Sequence, residues 1–200
     1  MAIRDKSKTA KDDLPIISFA TSAQWEQWLE QNHDTANGIW LRFYKKNSGI
    51  LSVNYAEALD IALCYGWIDA QLKSIDELSY KQHFTPRRSK SIWSKRNIEN
   101  IARLTKEGRM KPAGMKQVEA AKADGRWDQA YDSPGNMALP DDFMLELQKD
   151  KKAFHFYESL TKANKYAICW RIQTAKRPET KEKRKKEILQ MLRREEKFHM

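Results

Sequence analysis

The stretch Gly66–Asn97 concentrates residue types that can do chemistry: Trp67 and Trp93, the isolated acid Asp69, and the basic turn Thr85-Pro86-Arg87-Arg88. Arginine forks match phosphate and carboxylate geometry, and a proline-fixed turn would hold them in place. Lys90, Lys95 and Arg96 add charge, Ser89, Ser91 and Ser94 add small donors, and Trp93 offers a stacking plate for a ring. With Asn97 at its end, the segment suits an anionic or aromatic ligand held in a cleft around Trp67, Asp69, Arg87, Arg88, Trp93 and Asn97. A purely structural role is the alternative, and the one favoured for the individual arginines. Pro86 would stop a strand, Trp93 would staple the next helix, and the cations would face water.

Asp69 follows a helix stop at the start of a strand, so burial would make it a candidate general acid or base. The alternative is that it accepts backbone amides or pairs with Arg87 or Arg88, since a lone acid has no evident catalytic partner. Tyr44-Lys45-Lys46 forms a basic rim that would either line the same cleft or protect a sheet edge.

Several chemistries lack their signatures. There is no GxxxxGK[ST], GxGxxG or GxSxG, so neither a phosphate-binding loop nor a serine nucleophile elbow is indicated. The module signatures of RNA-binding domains are missing too. Cys64 and Cys169 sit in apolar helical patterns and read as small buried hydrophobes. With four scattered histidines and no CxxC or HxxxH, no metal and no cofactor is expected. The balance leans away from an enzyme.

The 200 residues can bury a sizeable core. Seven tryptophans exceed what packing a small domain usually calls for. The net charge of +10 is uneven. Lys81–Lys111 holds ten basic and two acidic residues, and Arg171–Met200 eleven basic and five acidic. A basic face attracts nucleic acid, anionic lipid or acidic metabolites, or simply keeps the surface solvated. The N-terminal sequence has charge but no apolar core for export and no apolar run reaches membrane length, so a cytoplasmic location is expected, with Met1–Leu14 a mobile polar lead-in.

These residues must be positioned by ordinary elements. Ile16–Phe19 reads as a short strand, and Thr21 with Gln24 as a capping pair for a helix to about Asn32 that turns Trp25, Trp28 and Leu29 inward. Ile39–Lys45 is a strand. Asn54 and Glu57 cap a second helix that ends at Gly66. Trp67–Lys73 and Ser79–Thr85 are strands, the latter alternating Tyr80, Gln82, Phe84 against Lys81, His83. Helices follow: from Ser94 with Ile98, Ile101 and Ala102 inward; from Pro112; from Pro140; a stripe of Ala153, Phe154, Tyr157 and Leu160; a stripe of Tyr166, Cys169 and Trp170; and a basic last helix from Pro178 with Arg184, Ile188, Met191 and Leu192 on its apolar edge. The expected fold is α+β, a small antiparallel sheet with helices in the N-terminal half and a helical C-terminal half packed on it. Residues 15–130 would form the core and 131–200 a helical extension, with Tyr131–Leu139 as linker.

The segments GIWLRFYKKNSG, SVNYAEALDIALCYGWIDAQLKSID, FTPRRSKSIWSKRN, GRMKPAGMKQVEAAKADGRWDQAY and AKRPETKEKR resemble the YdeI/OmpD-associated, or bacteriocin-protection, family, from about Ile16 to Leu192. That resemblance implies stress or antimicrobial tolerance and association with an outer-membrane porin, and brings no catalytic residues or cofactor. The first expectation is therefore a tolerance protein binding an anionic or aromatic ligand. A nucleic-acid binder using the basic face is the second. An enzyme on a small acidic or phosphorylated substrate, with Asp69 as acid/base, is the third.

Overall fold

The computed structural model describes residues 14–132 and 137–199. Most of the expected lead-in Met1–Leu14, and the middle of the expected linker at residues 133–136, lie outside the described residues. Contacts divide the chain into two compact units: the described part of Met1–Ile92 with Asn97–Asp128, and Trp93–Arg96 with the described part of Gln129–Met200.

The first unit is the α+β part. Its strands are β1 (Ile16–Ile17), β2 (Ile39–Tyr44), β3 (Trp67–Ser74) and β4 (Ser79–Pro86), in the order β1-β2-β4-β3. β4 pairs antiparallel with both β2 and β3, while β1 lies parallel to β2. The sheet is therefore mixed rather than antiparallel throughout. The reason is the helix α1 (Ser22–Asn32), a crossover that returns the chain in the same direction. The β3–β4 register shifts by a bulge between Asp69 and Leu72.

Local signals fix the helices of this unit. The Thr21 hydroxyl accepts the Gln24 amide, and the Gln24 side chain accepts the Ala20 amide. Helix α2 (Tyr55–Cys64) opens with a full capping box: Asn54 Oδ1 accepts the Glu57 amide at 3.0 Å and Glu57 Oε2 accepts the Asn54 amide at 3.4 Å. Helices α3 (Lys95–Lys106) and α4 (Pro112–Ala123) complete the set. Arg103 of α3 grips Asp60 of α2 with both carboxylate oxygens at 2.7 Å. On α3 the buried residues are Asn97, Ile101 and Leu104, and Ala102 faces solvent instead of the core. A helical step of three to Leu104 centres the stripe one residue away from Ala102.

Between α1, α2 and the inner sheet face runs a continuous aromatic chain. Trp67 meets Trp28 edge-on at 5.8 Å, Trp28 stacks on Trp25 at 5.4 Å, and Trp25 meets Phe84 at 5.7 Å. Phe84 then contacts Phe43, which stacks on Tyr80 at 5.2 Å and meets Tyr55 at 6.4 Å. The indole N–H groups, which would be costly to bury alone, donate to backbone carbonyls: Trp25 to Ala58 and Trp67 to His33. The abundance of tryptophan thus serves the core.

The second unit carries the helices α5 (Asp141–Lys149), α6 (Lys151–Ser159), α7 (Lys162–Gln173) and α8 (Pro178–Arg193). Phe143, Leu147, Ala153, Tyr157, Ile168, Ile172, Ile188 and Leu192 share one buried cluster. Asp150 joins α5 to α6, accepting the Ala153 amide at 3.0 Å and the Arg193 guanidinium at 2.5 Å. These contacts hold its carboxyl below the usual range. Two expected stripes rotate. In α7, Asn164, Ile168, Cys169 and Ile172 are buried while Trp170 is 39% exposed. In α8, Lys185 rather than Arg184 is buried, because it bonds Asp142 and Glu182.

In the first unit, the first turn of α4 lies directly on the last turn of α2. A Cβ at Gly114 would fall 2.2 Å from the Cys64 carbonyl oxygen, a contact that only backbone movement would relieve. Gly66, at φ +75°, is also crowded, its hypothetical Cβ 2.9 Å from the Ala113 carbonyl oxygen. Gly114→Ala is expected to destabilise the protein by at least about 2 kcal/mol in urea melts, the scale of an overpacked core. Gly108→Ala meets nothing within 4 Å, so only its φ of +68° opposes it. It should cost about 1 kcal/mol. Equal losses for the two variants would refute the backbone-contact account.

Candidate functional site

The sequence-selected residues do not share one environment. Trp67 is 1% exposed and belongs to the aromatic chain. Asp69, half-buried two residues along the same face of β3, accepts the Tyr55 hydroxyl at 2.9 Å and the Gln82 amide at 3.3 Å. Arg87 is buried; its amide donates to the Gly66 carbonyl at 2.9 Å and its guanidinium to the Ile92 carbonyl at 3.3 Å. Arg88 is exposed, and its amide donates to the Ser91 hydroxyl. Asn97 is a buried polar residue on α3. Trp93 is buried and falls in the other unit, where its carbonyl accepts the Tyr131 amide at 3.0 Å.

The Arg87–Ile92 loop is held from both ends. Arg87 bonds its far end, and Arg126 donates to the Ser91 carbonyl at 3.0 Å while its Nε meets the Asp124 carboxylate at 2.7 Å and 2.8 Å. Much of the basic segment is likewise engaged. Arg103 and Arg109 pair with Glu107, Lys111 with Glu26 and Lys95 with Asp132. Two lysines, Lys73 and Lys81, lie over the Trp40 ring at 5.1 Å and 4.8 Å.

A cavity of about 380 Å³ opens instead at the other end of the aromatic chain. Phe43, Tyr44, Tyr55 and Tyr80 supply rings, Ile50, Leu51 and Val53 supply apolar surface, and Lys45 and Lys46 supply charge. The volume suits a small organic ligand. Its outer wall is the loop from the 3₁₀ turn Lys46–Ser48, through Gly49 at φ +69°, to the α2 cap at Asn54. Ile50 and Leu51 on that loop are 52% and 82% exposed. Burial pushes the Tyr80 hydroxyl above its ordinary range, so it stays protonated and able to donate.

Asp69 connects the sequence-selected region to this cavity. The Tyr55 hydroxyl donates its proton to Asp69, and Tyr55 itself lines the cavity. The Tyr44-Lys45-Lys46 rim was legible in the sequence; its pairing with Tyr55 and Tyr80 was not, because β2, α2 and β4 meet only in the fold. Among the described residues, no three His, Cys, Asp or Glu gather as a metal site, and no helix is long and apolar enough to cross a membrane.

Comparison with known proteins locates the resemblance. Residues 17–117 match a domain of unknown function, DUF8412, and residues 136–195 match the model described as bacteriocin-protection, YdeI or OmpD-associated. The chain belongs to the DUF8412 family and carries a YdeI/OmpD-associated segment behind that domain. The GWID and TPRRSKSIWSKRN motifs thus fall within the first match. A protein of Campylobacter concisus named tRNA 5-methylaminomethyl-2-thiouridine biosynthesis bifunctional protein MnmC is 36% identical over 114 residues. That alignment takes in 52% of this chain and only 18% of the relative. No solved structure matches the chain.

Neither cysteine is suited to nucleophilic chemistry. Burial pushes the Cys64 and Cys169 thiols up to about 11. A thiol raised this far is about one part in a thousand thiolate at pH 8. Iodoacetamide at pH 8 should therefore leave the folded protein almost unmodified and label both cysteines in urea. Rapid labelling of the native protein would contradict this.

Proposed function

We propose that the first unit is a ligand-binding module that takes a small planar ligand bearing negative charge in the cavity between β2, the Lys46–Asn54 segment, α2 and β4. The observation that carries this is the meeting of four aromatic rings with Lys45 and Lys46 around one cavity of about 380 Å³. Rings supply stacking surface, and the lysines supply a rim for a phosphate or carboxylate. The Tyr55 oxygen, its proton directed to Asp69, accepts an N–H from the ligand. Support for a nucleotide-like ligand comes from the Campylobacter relative, whose name places it in tRNA thiouridine biosynthesis. The protection named in the YdeI/OmpD-associated description would then follow from ligand capture.

Titration calorimetry with nucleoside 5′-monophosphates and the matching nucleosides tests this. Monophosphates should bind more tightly. Replacing Lys45 and Lys46 together by alanine should erase that preference, and Tyr44→Ala should weaken both ligand types by roughly tenfold, one stacking contact. Phosphate-independent binding, or binding indifferent to all three positions, sinks the proposal.

A second reading, catalysis, is favoured by the hydrogen bond that Asp69 accepts from Tyr55, which lines the cavity. There Asp69 would act as acid or base on a small acidic or phosphorylated substrate. Asp69→Asn would then keep ligand affinity and lose turnover, whereas a purely orienting Asp69 would show a changed affinity.

A further inference from the structure

The second unit presents a feature that the cavity does not use. Between Lys162 and Lys186 the chain holds ten basic and two acidic residues. Several cations there have acid partners: Lys165 with Glu158, Arg171 with Glu187, and Lys185 with Glu182. For Lys176, Arg177 and Lys181 no ion pair is formed among the described residues.

These cations are not scattered. Lys176 and Arg177 form the turn between α7 and α8. Arg177, Lys181 and Arg184 follow at four- and three-residue steps, which places them along one stripe of α8. Arg184 fixes that stripe against the end of α7. Its Nη1 donates to the Arg171 carbonyl at 2.6 Å and to the Thr174 hydroxyl at 3.3 Å. One turn before the end of α7 stands Trp170, 39% exposed, its ring edge-on to Tyr131 at 6.4 Å. Tyr131 therefore braces the indole while part of its surface stays open. Large exposed rings on a core helix are uncommon, and this one sits where the hydrophobic cluster has no use for it.

From this juxtaposition we infer that the α7–α8 corner binds single-stranded nucleic acid. A base stacks on Trp170, and successive phosphates lie along Lys176, Arg177, Lys181 and the outer edge of Arg184. Stacking needs unpaired bases with free faces, which favours a single strand over a duplex. This surface is independent of the cavity, so either can fail alone.

The test uses the full chain and fluorescently labelled oligouridylate and oligothymidylate, by anisotropy across a salt series. Four phosphate contacts predict a slope of log affinity on log salt of about −2.8, at about 0.7 per single-strand phosphate. The Arg177→Ala, Lys181→Ala double variant should reduce that slope by about 1.4. Trp170→Ala should weaken binding roughly tenfold at every salt concentration without changing the slope, and Trp170→Phe should restore most of it. Circular dichroism melts verify that each variant folds.

Slope and stacking effects together support the inference. Equal affinity for duplex and single strand, or a Trp170→Ala variant as tight as the parent, overturns it, since undirected charge would explain the data. Binding to vesicles containing phosphatidylserine with none to oligonucleotides also overturns it.

Discussion

The contact between the end of α2 and the start of α4 is the constraint on which the first unit depends. With side chains absent at Gly66 and Gly114, two backbones touch. The Lys111 amide donates to the same Cys64 carbonyl that crowds Gly114. Gly66 turns there into β3, and its own carbonyl receives the Arg87 amide at the end of β4. One short junction therefore sets the start of β3, the end of β4 and the seat of α4. Trp67 and Asp69 inherit their positions from it.

From that junction the aromatic chain carries the order across the sheet. Trp67 at one end is sealed by Trp28 and the His33 carbonyl, whereas Tyr55 and Tyr80 at the other end reach open space. The same type of residue is core at one end and cavity wall at the other. What distinguishes them is the covering layer. Helix α1 roofs the first end, and the irregular Lys46–Asn54 segment forms the outer border of the second.

Much of the fold was legible in the sequence because local chemistry agreed with the final structure. Thr21 with Gln24, Asn54 with Glu57, and Gly66 each specify a helix end through backbone groups a few residues away. The α+β class and the alternation of Tyr80, Gln82 and Phe84 followed from period alone. Gly114 was not legible as a packing residue, since its reason is a carbonyl fifty positions earlier. Nor was the outward Trp170, because helical spacing assigns a large ring to the buried stripe unless neighbours already fill it, as Ile168 and Ile172 do. Arg87 and Trp93 were visible as unusual residues, but not that they stand in different compact units. The cavity draws on three separated segments, and only the Tyr44-Lys45-Lys46 rim left a trace in the linear pattern.

The bulge between Asp69 and Leu72 lies on an outer strand of the sheet, with β1 only two residues long at the opposite side. An outer strand offers unpaired amides and carbonyls to any passing chain. Here the interruption breaks the even ladder that a second molecule would need to extend, and Lys73 adds a charge beside it. The opposite side is too short to nucleate pairing. A sheet with Leu72 59% exposed thus carries its own protection against strand-to-strand polymerisation, which a regularised β3 would forfeit.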